Sequence, residues 1–405
     1  MVFSLETYVD AAGEEVISSI HKKIRKLYGT HSLMVNSTFM GGGVAEILNS
    51  MVPLLNDAGL DTGWRTVHGT PDFYEITKKI HNAMQGNSEG LSDEEKELYL
   101  EVNANFAIYT HINHDFVFIH DPQPLPLIHS FKKQQPWIWR CHIDISEPNE
   151  EVWKFLRTYL LRYDIMLISS EKYRKPDLPV EQRVVHPAID PLSLKNRDMS
   201  EEEIYRWIEE AGIPRDKPFI TQVSRMDPWK DPLGVLDVYE KVREKVDCRL
   251  VFVYNLASDD PEGHGVYEQV HERAGELVDS GDVIFVVGNH ALLVNAIQRA
   301  AAVVLQKSYR EGFCLTVTEA MWKAAPVVAT TAGGIPEQIT DGEDGFLIDP
   351  ADIDGTADRV VELVKHPEYR ETIGAKARET VRQRFLTTRL ISDYIDVMTE
   401  LSREC

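Results

Sequence analysis

A chain of 405 residues exceeds one comfortable hydrophobic core, and its 43% apolar content is enough to fill two. A formal net charge of −22 argues against nucleic acid or an anionic membrane as partner. No apolar run reaches membrane-spanning length, the start Met1-Val2-Phe3-Ser4-Leu5-Glu6 lacks the order of a signal peptide, and Cys141, Cys248, Cys314 and Cys405 show no paired spacing, so a reducing cytoplasm is the expected setting.

Residues 1–30 read as a charged helical lead-in. Residues 31–36 (H-S-L-M-V-N) form a strand that runs into Gly41-Gly42-Gly43. A helix follows from Val44, with Ile47, Leu48, Met51, Leu54 and Leu55 on one face. Glycine at a strand-to-helix turn lets backbone N–H groups approach a phosphate with no Cβ in the way, although a plain tight turn uses the same residues. A dinucleotide fingerprint fails here. It needs glycine where Glu46 stands, and the second strand, 63–68, ends in His68 rather than an acid. Residues 70–110 are mostly helical. Strand 115–120 is stopped by Asp121-Pro122-Gln123-Pro124, and strand 137–142 is followed by Ile143-Asp144. Both end in polar residues, at the edge where open α/β sheets bind ligands. Strands at 164–169 and 183–189 continue the alternation, which predicts an α/β fold with a parallel, doubly wound sheet.

The polar stretch 191–218, with charge clusters at 195–198 and 201–203, suits a connection that includes a helix, and a domain boundary falls there. Strand 219–224 then opens a second sheet and delivers Arg225-Met226-Asp227-Pro228-Trp229-Lys230. Two cations five residues apart at such a turn, one a planar fork and one a point charge, are placed to hold a diphosphate. For either cation alone, plain solvation is the competing reading. Further strands are expected at 249–254, 283–287, 303–306, 327–330 and 345–348. Gly333-Gly334 makes a second glycine turn, and two or three helices run from Asp354 onward.

After strand 303–306 comes Glu311-Gly312-Phe313-Cys314-Leu315-Thr316-Val317-Thr318-Glu319, with a helix predicted over 318–325. Glu311 then lies in a loop at a strand's carboxyl end and Glu319 in the following helix. That helix N-terminus offers backbone N–H groups and a positive dipole end to an anion. Two carboxylates flanking an anion site suit a ligand with both hydroxyls and phosphate, such as a nucleotide sugar. The competing reading is a loop acid plus a solvated helix face.

Glu311 and Glu319, eight residues apart after a strand, resemble the donor signature of retaining GT-B glycosyltransferases, the group of sucrose synthases, glycogen synthases and bacterial mannosyltransferases. The likeness extends through Val35-Asn36-Ser37-Thr38, Gly41 to Glu46, His120 to Pro124, Trp139 to Asp144, and Gln222 to Arg225 with Asp227 to Lys230. Glu311 to Phe313 and Thr316 to Trp322 complete it. Together these blocks resemble the trehalose glycosyltransferring synthases of archaea and thermophilic bacteria, which join glucose from a nucleoside diphosphate glucose to free glucose. Cys314 departs from the pattern, since many relatives carry glycine there.

The resemblance implies two Rossmann-like domains facing a cleft. Residues 1–215 would be the acceptor domain, with a helix 386–405 packed back on it, and 216–385 the donor domain. A hinge near 190–218 would close them. By the same resemblance, Glu319 holds the ribose hydroxyls and Glu311 the transferred sugar, while Arg225 and Lys230 offset charge on the leaving diphosphate. Gly41, Gly42, Gly43, Gly312, Phe313, Cys314, Leu315 and Thr316 complete the donor site. His142 would bond the transferred sugar, and Asp121 and Asp144 would lie toward the acceptor. The departing phosphate takes the acceptor's proton, so no protein nucleophile is needed.

The pairs His120/Asp121 and His142/Asp144 lack a third ligand at metal-site spacing, so no metal site and no required cofactor are expected, Mg²⁺ being left open but not as a protein-bound component. The expected partners are small molecules, with a homodimer left open. Three other readings stand beside this one: a transferase making another small glycoside, a nucleotide-sugar isomerase of the same shape, and a binding protein without catalysis.

Overall fold

Short apolar runs alternating with amphipathic segments produce two parallel six-stranded sheets in the computed structural model, which describes residues 4–255 and 261–403. The Met1-Val2-Phe3 start and Cys405 lie outside the described residues. The chain divides into two compact units, Met1–Ala188 with Leu386–Cys405, and Ile189–Phe385. The dividing point is therefore 188/189 rather than 215/216, and the residues just after 189 are bonded into the second unit. There the buried Asn295 amide donates to the carbonyls of Leu194 at 3.1 Å and Arg197 at 2.9 Å.

In the first unit the strands are β1 (His31–Asn36), β2 (Asp61–Thr66), β3 (Phe116–His120), β4 (Trp137–Arg140), β5 (Ile165–Ile168) and β6 (Glu181–Val184), in the order β2-β1-β3-β4-β5-β6. The central strands β3, β4 and β5 are buried along their whole length. Helices cover both faces of a parallel sheet, so these strands are continuous apolar runs rather than alternating ones. Phe118 stacks on Tyr394 at 5.0 Å, which seats the helix Thr387–Leu401 on this sheet. Burial of such a ring is worth roughly 2–3 kcal/mol. The lead-in is less solvated than its charges suggest: Ile17, Ile20 and Ile24 of helix Glu14–Ile24 are buried, and Lys23 reaches Asp396 at 2.5 Å. Strand β6 ends at Val184, short of the expected 189, where Pro187 removes a ladder donor.

The second unit carries β7 (Phe219–Arg225), β8 (Arg249–Asn255), β9 (Val283–Val287), β10 (Val303–Gln306), β11 (Val327–Thr330) and β12 (Phe346–Ile348). Their order is β12-β11-β10-β7-β8-β9. The winding reverses between β7 and β10 here, and between β1 and β3 in the first unit. In open parallel sheets such a switch point opens a crevice at the carboxyl ends of the strands, because the flanking crossovers leave in opposite directions. Among the described residues no helix is long and apolar enough to cross a membrane.

Candidate active site

The β7/β10 switch point of the second unit is where the turns bearing Lys230 and Glu311 meet. Asp227 organises the first turn: its Oδ1 accepts the Trp229 N–H at 2.9 Å, and its Oδ2 takes the Arg225 guanidinium at 2.7 Å. The Trp229 carbonyl accepts the Tyr309 N–H at 2.8 Å, which ties this turn to the one after β10. Lys230 bonds the Glu311 carboxylate, and the Ser308 hydroxyl donates to the same oxygen at 3.2 Å. Burial opposes the charge on Lys230, but Glu311, with Cys314 and Asp227 behind it, outweighs burial and holds the ammonium above its ordinary pKa. Arg225 is more open, its side chain 56% exposed.

Beneath this pair the fully buried Lys307 bonds Asp231 and donates to the Pro350 carbonyl at 2.9 Å. Asp231, in left-handed backbone at φ +48°, caps helix Pro232–Arg243 through the Gly234 N–H at 3.0 Å. A buried lysine persists only when paired, so this contact fixes both turns at once.

The acid-flanked helix runs Leu315–Trp322, three residues ahead of its predicted start, and no side chain caps it. Its first turn is closed by the backbone, the Val317 N–H donating to the Cys314 carbonyl at 3.1 Å. The early start is possible because Cys314 adopts φ +77°, a conformation that ordinarily selects glycine and costs a non-glycine residue about 1–2 kcal/mol. The Gln338 amide donates to the Phe313 carbonyl from behind, and a Cβ at Gly334 would meet the Gly312 carbonyl oxygen at 2.6 Å. Glu319 is buried on this helix, with Lys195 3.3 Å from its carboxylate.

In the first unit Asp121 stands directly after β3 at φ +62° and accepts the His142 N–H at 2.8 Å. His142 lies close to His120, with Nε2 and Nδ1 3.1 Å apart and the rings stacked at 5.4 Å. Burial first, and then the charge of Arg140, keep both imidazoles below their ordinary pKa, His120 at about 3. Burial likewise pushes Asp121 up to about 7, against the His142 N–H and Arg140. Arg140 is itself buried and donates to Ser169 Oγ at 3.1 Å. Asp144 is turned into its own loop, where it accepts the Ser146 N–H at 2.9 Å and hydroxyl at 2.6 Å.

Gly41 and Gly42, at φ +76° and +80°, form the exposed turn after β1, and the helix starts at Gly42 rather than Val44. Asn36 braces this loop by donating to the Thr38 carbonyl at 2.8 Å while accepting the Trp64 indole N–H at 2.8 Å. Among the described residues no three His, Cys, Asp or Glu side chains gather closely enough to hold a metal ion.

Two clusters result. Lys230, Glu311 and the Gly312-to-Thr316 turn lie together in the second unit, and Asp121, His142 and His120 in the first. Lys195 and Lys307, given no site role in the sequence, join the first cluster, and Arg140 and the His120 ring, present in the resembling blocks but without a role there beyond a weighed metal pair, join the second. Of the two lysines, Lys307 left a local trace, through its partner Asp231, which precedes Pro232 and Gly234 in the pattern of a helix cap.

Against known proteins, residues 34–175 match the family described as trehalose synthase, N-terminal domain, and residues 203–380 match glycosyl transferases group 1. The trehalose synthase of Pyrococcus horikoshii is 46% identical over 401 residues, covering 98% of this chain and 96% of that protein. The chain belongs to the trehalose synthase family. A second member, from Rubrobacter xylanophilus, is 41% identical over 411 residues, covering 98% and 97% of the two chains.

Among solved structures, sucrose-phosphate synthase from Thermosynechococcus elongatus aligns at TM-score 0.74 and 16% identity, over 93% of this chain and 100% of that one. The E. coli trehalose-6-phosphate protein bound with UDP-2-fluoro glucose aligns at 0.74 and 16%, over 92% and 99%. At that identity the likeness speaks for the fold, which is GT-B. The family member described here is thus an enzyme of trehalose metabolism built from glycosyltransferase domains.

Proposed function

We propose that the enzyme moves glucose from a nucleoside diphosphate glucose to free glucose, giving trehalose with the donor's anomeric configuration retained. The observation that carries this reading is the Lys230–Glu311 pair at the β7/β10 switch point, beside the uncapped start of helix Leu315–Trp322. A cation and a helix N-terminus suit a diphosphate, and a carboxylate within reach of both suits the hydroxyls of the sugar it carries.

In the proposed reaction the bond from the sugar C1 to the β-phosphate oxygen breaks, and a bond from C1 to the acceptor's anomeric oxygen forms on the same face. The acceptor's proton leaves with the diphosphate. Lys230 and Arg225 stabilise the charge that grows on the leaving oxygen, and preorganised charge of this kind is usually the largest catalytic contribution. Glu311 and Glu319 bind the donor's sugar and ribose hydroxyls. His142, neutral and held by His120 and by Asp121's grip on its backbone, serves the transferred sugar, with Asp121 and Asp144 toward the acceptor. The positive charge is supplied by side chains, so the reaction draws on no resident metal or other cofactor.

The test incubates the protein with ADP-, UDP- or GDP-glucose, with and without glucose, and with maltose alone, following trehalose by NMR. Trehalose and nucleoside diphosphate should appear together and only when glucose is present. Diphosphate release independent of acceptor, or conversion of maltose without any nucleotide sugar, would overturn the proposal.

A further inference from the structure

Residues 194–198, part of the polar connection in sequence, are fastened to the second unit by a dense set of hydrogen bonds. Asn295, on helix Ala291–Ala300, holds the carbonyls of Leu194 and Arg197 at 3.1 and 2.9 Å. Arg299 on the same helix donates to the Asn196 and Arg197 carbonyls at 3.3 and 3.0 Å. The Trp322 indole, at the end of the acid-flanked helix, donates to the Asn196 carbonyl at 3.1 Å. Buried Lys323 bridges Asn196 Oδ1 at 3.0 Å and Gln298 Oε1 at 2.6 Å. So many bonds on five residues leave the backbone little freedom, and that rigidity carries one side chain to a defined place. Lys195 sets its ammonium 3.3 Å from Glu319 Oε1, with its own side chain 26% exposed and the glutamate's 3%.

We infer that Lys195 is a positioning residue of the donor site, which fixes the Glu319 carboxylate for the ribose and so makes nucleoside diphosphate affinity depend on the 2′-hydroxyl. The inference rests on the donor reading above. Its physical basis is a conflict of charges. A carboxylate near a diphosphate repels it, and a carboxylate this buried is costly unless a cation accompanies it. Lys195 offsets both effects, and an ionised carboxylate, with about four acceptor positions, can accept from hydroxyls alongside its protein partners. The attached strap supplies this cation from outside the motif that supplies the glutamate.

Calorimetric titration of the full chain with ADP, UDP and GDP and their 2′-deoxy forms tests it, using wild type, Lys195→Met and Lys195→Arg. Wild type should bind at least one ribonucleotide about tenfold more tightly than its 2′-deoxy form, the size of one hydrogen bond to a charged group. Lys195→Met should lose about that factor for the ribonucleotide and erase the preference, while Lys195→Arg retains it. Lys195→Met should also lower the melting temperature, since it takes away the cation beside the buried Glu319 carboxylate, whereas Lys195→Arg should keep it; the selectivity for the 2′-hydroxyl, which a purely structural role would not move, decides the matter. If Lys195→Met does not fold, Lys195→Gln carries the same expectation. If wild type binds none of the diphosphates, the donor reading falls and this inference with it. If wild type shows the preference and the variants keep it unchanged, the inference alone falls.

Discussion

Lys230 and Glu311 form an ion pair across 81 residues of sequence, and each is delivered by a turn at the carboxyl end of one of two adjacent parallel strands. Their side chains are 16% and 13% exposed, so neither charge is well hydrated without the other. Removing one partner from such a pair costs about 3 kcal/mol, because the survivor is left buried and unpaired. Lys230→Ala should therefore lose stability as well as turnover. The double variant Lys230→Met/Glu311→Gln should regain most of the stability while turnover stays depressed by about 10²–10³-fold, the usual effect of deleting a preorganised charge. Urea unfolding alongside steady-state rates separates the two. Recovery of turnover in the double variant would remove Lys230 from the chemistry.

Asp121 gives the first unit a pH signature. Its folded pKa of about 7 lies above the ordinary 3.8, so the folded state binds the extra proton between those values. Stability contributed by this group is then greatest below the ordinary value and declines as pH rises toward 7, by at most about 1.4 kcal/mol per pH unit. His120 and His142 act in the opposite direction. Their depressed folded pKa values favour the folded state above the ordinary 6.5, and that advantage fades as pH falls toward about 3 for His120. Asp121→Asn isolates the acid. Its stability relative to wild type should rise from pH 4 to pH 7 in chemical denaturation, and a flat difference would contradict the assignment.

Cys314 occupies glycine's conformation, φ +77° and ψ +77°. Cys314→Gly relieves the left-handed strain but gives up a small buried side chain and gains chain entropy on unfolding, so it should alter stability by less than about 1 kcal/mol. Cys314→Val places a branched Cβ in the same backbone region and should cost about 2 kcal/mol or more. Denaturation midpoints for the two variants, read side by side, decide it. Equal midpoints would mean that the left-handed turn is not what limits residue choice here.

Gly334 supports the acid-flanked turn by what it lacks. An alanine Cβ would come within 2.6 Å of the Gly312 carbonyl oxygen and 3.1 Å of Phe313 Cα, both backbone atoms that move only with the loop. Gly334→Ala should cost about 1–3 kcal/mol, as overpacking does, and should raise the KM for the donor. A crystal structure of the variant with the Glu311-to-Cys314 loop unmoved would contradict this account.

Much of the fold was legible in the chain itself. Strands 31–36, 283–287, 303–306 and 327–330 fall where their apolar runs fall. A parallel strand covered on both faces has little choice but to be continuously apolar and short. Helix starts were read less well. The turns at Gly42 and Cys314 begin their helices early because positive-φ residues there let the backbone reverse sooner than side-chain pattern suggests. Part of the polar connection is held more firmly than its composition suggests. The carbonyls of its residues 194, 196 and 197 accept side-chain hydrogen bonds from partners about a hundred or more positions away.

Sequence by itself determined the alternating architecture, the motif residues after β7 and β10, and the family to which they belong, because each depends on composition and spacing within a few turns of chain. Tertiary structure alone decided that Lys230 pairs with Glu311, that Lys195 meets Glu319, and that His142 rests against His120 over a buried arginine. Contacts of this kind arise when strand order folds remote turns onto one sheet edge. Burial then sets the strength and protonation of the groups brought together there, and neither strand order nor burial is written in the local pattern.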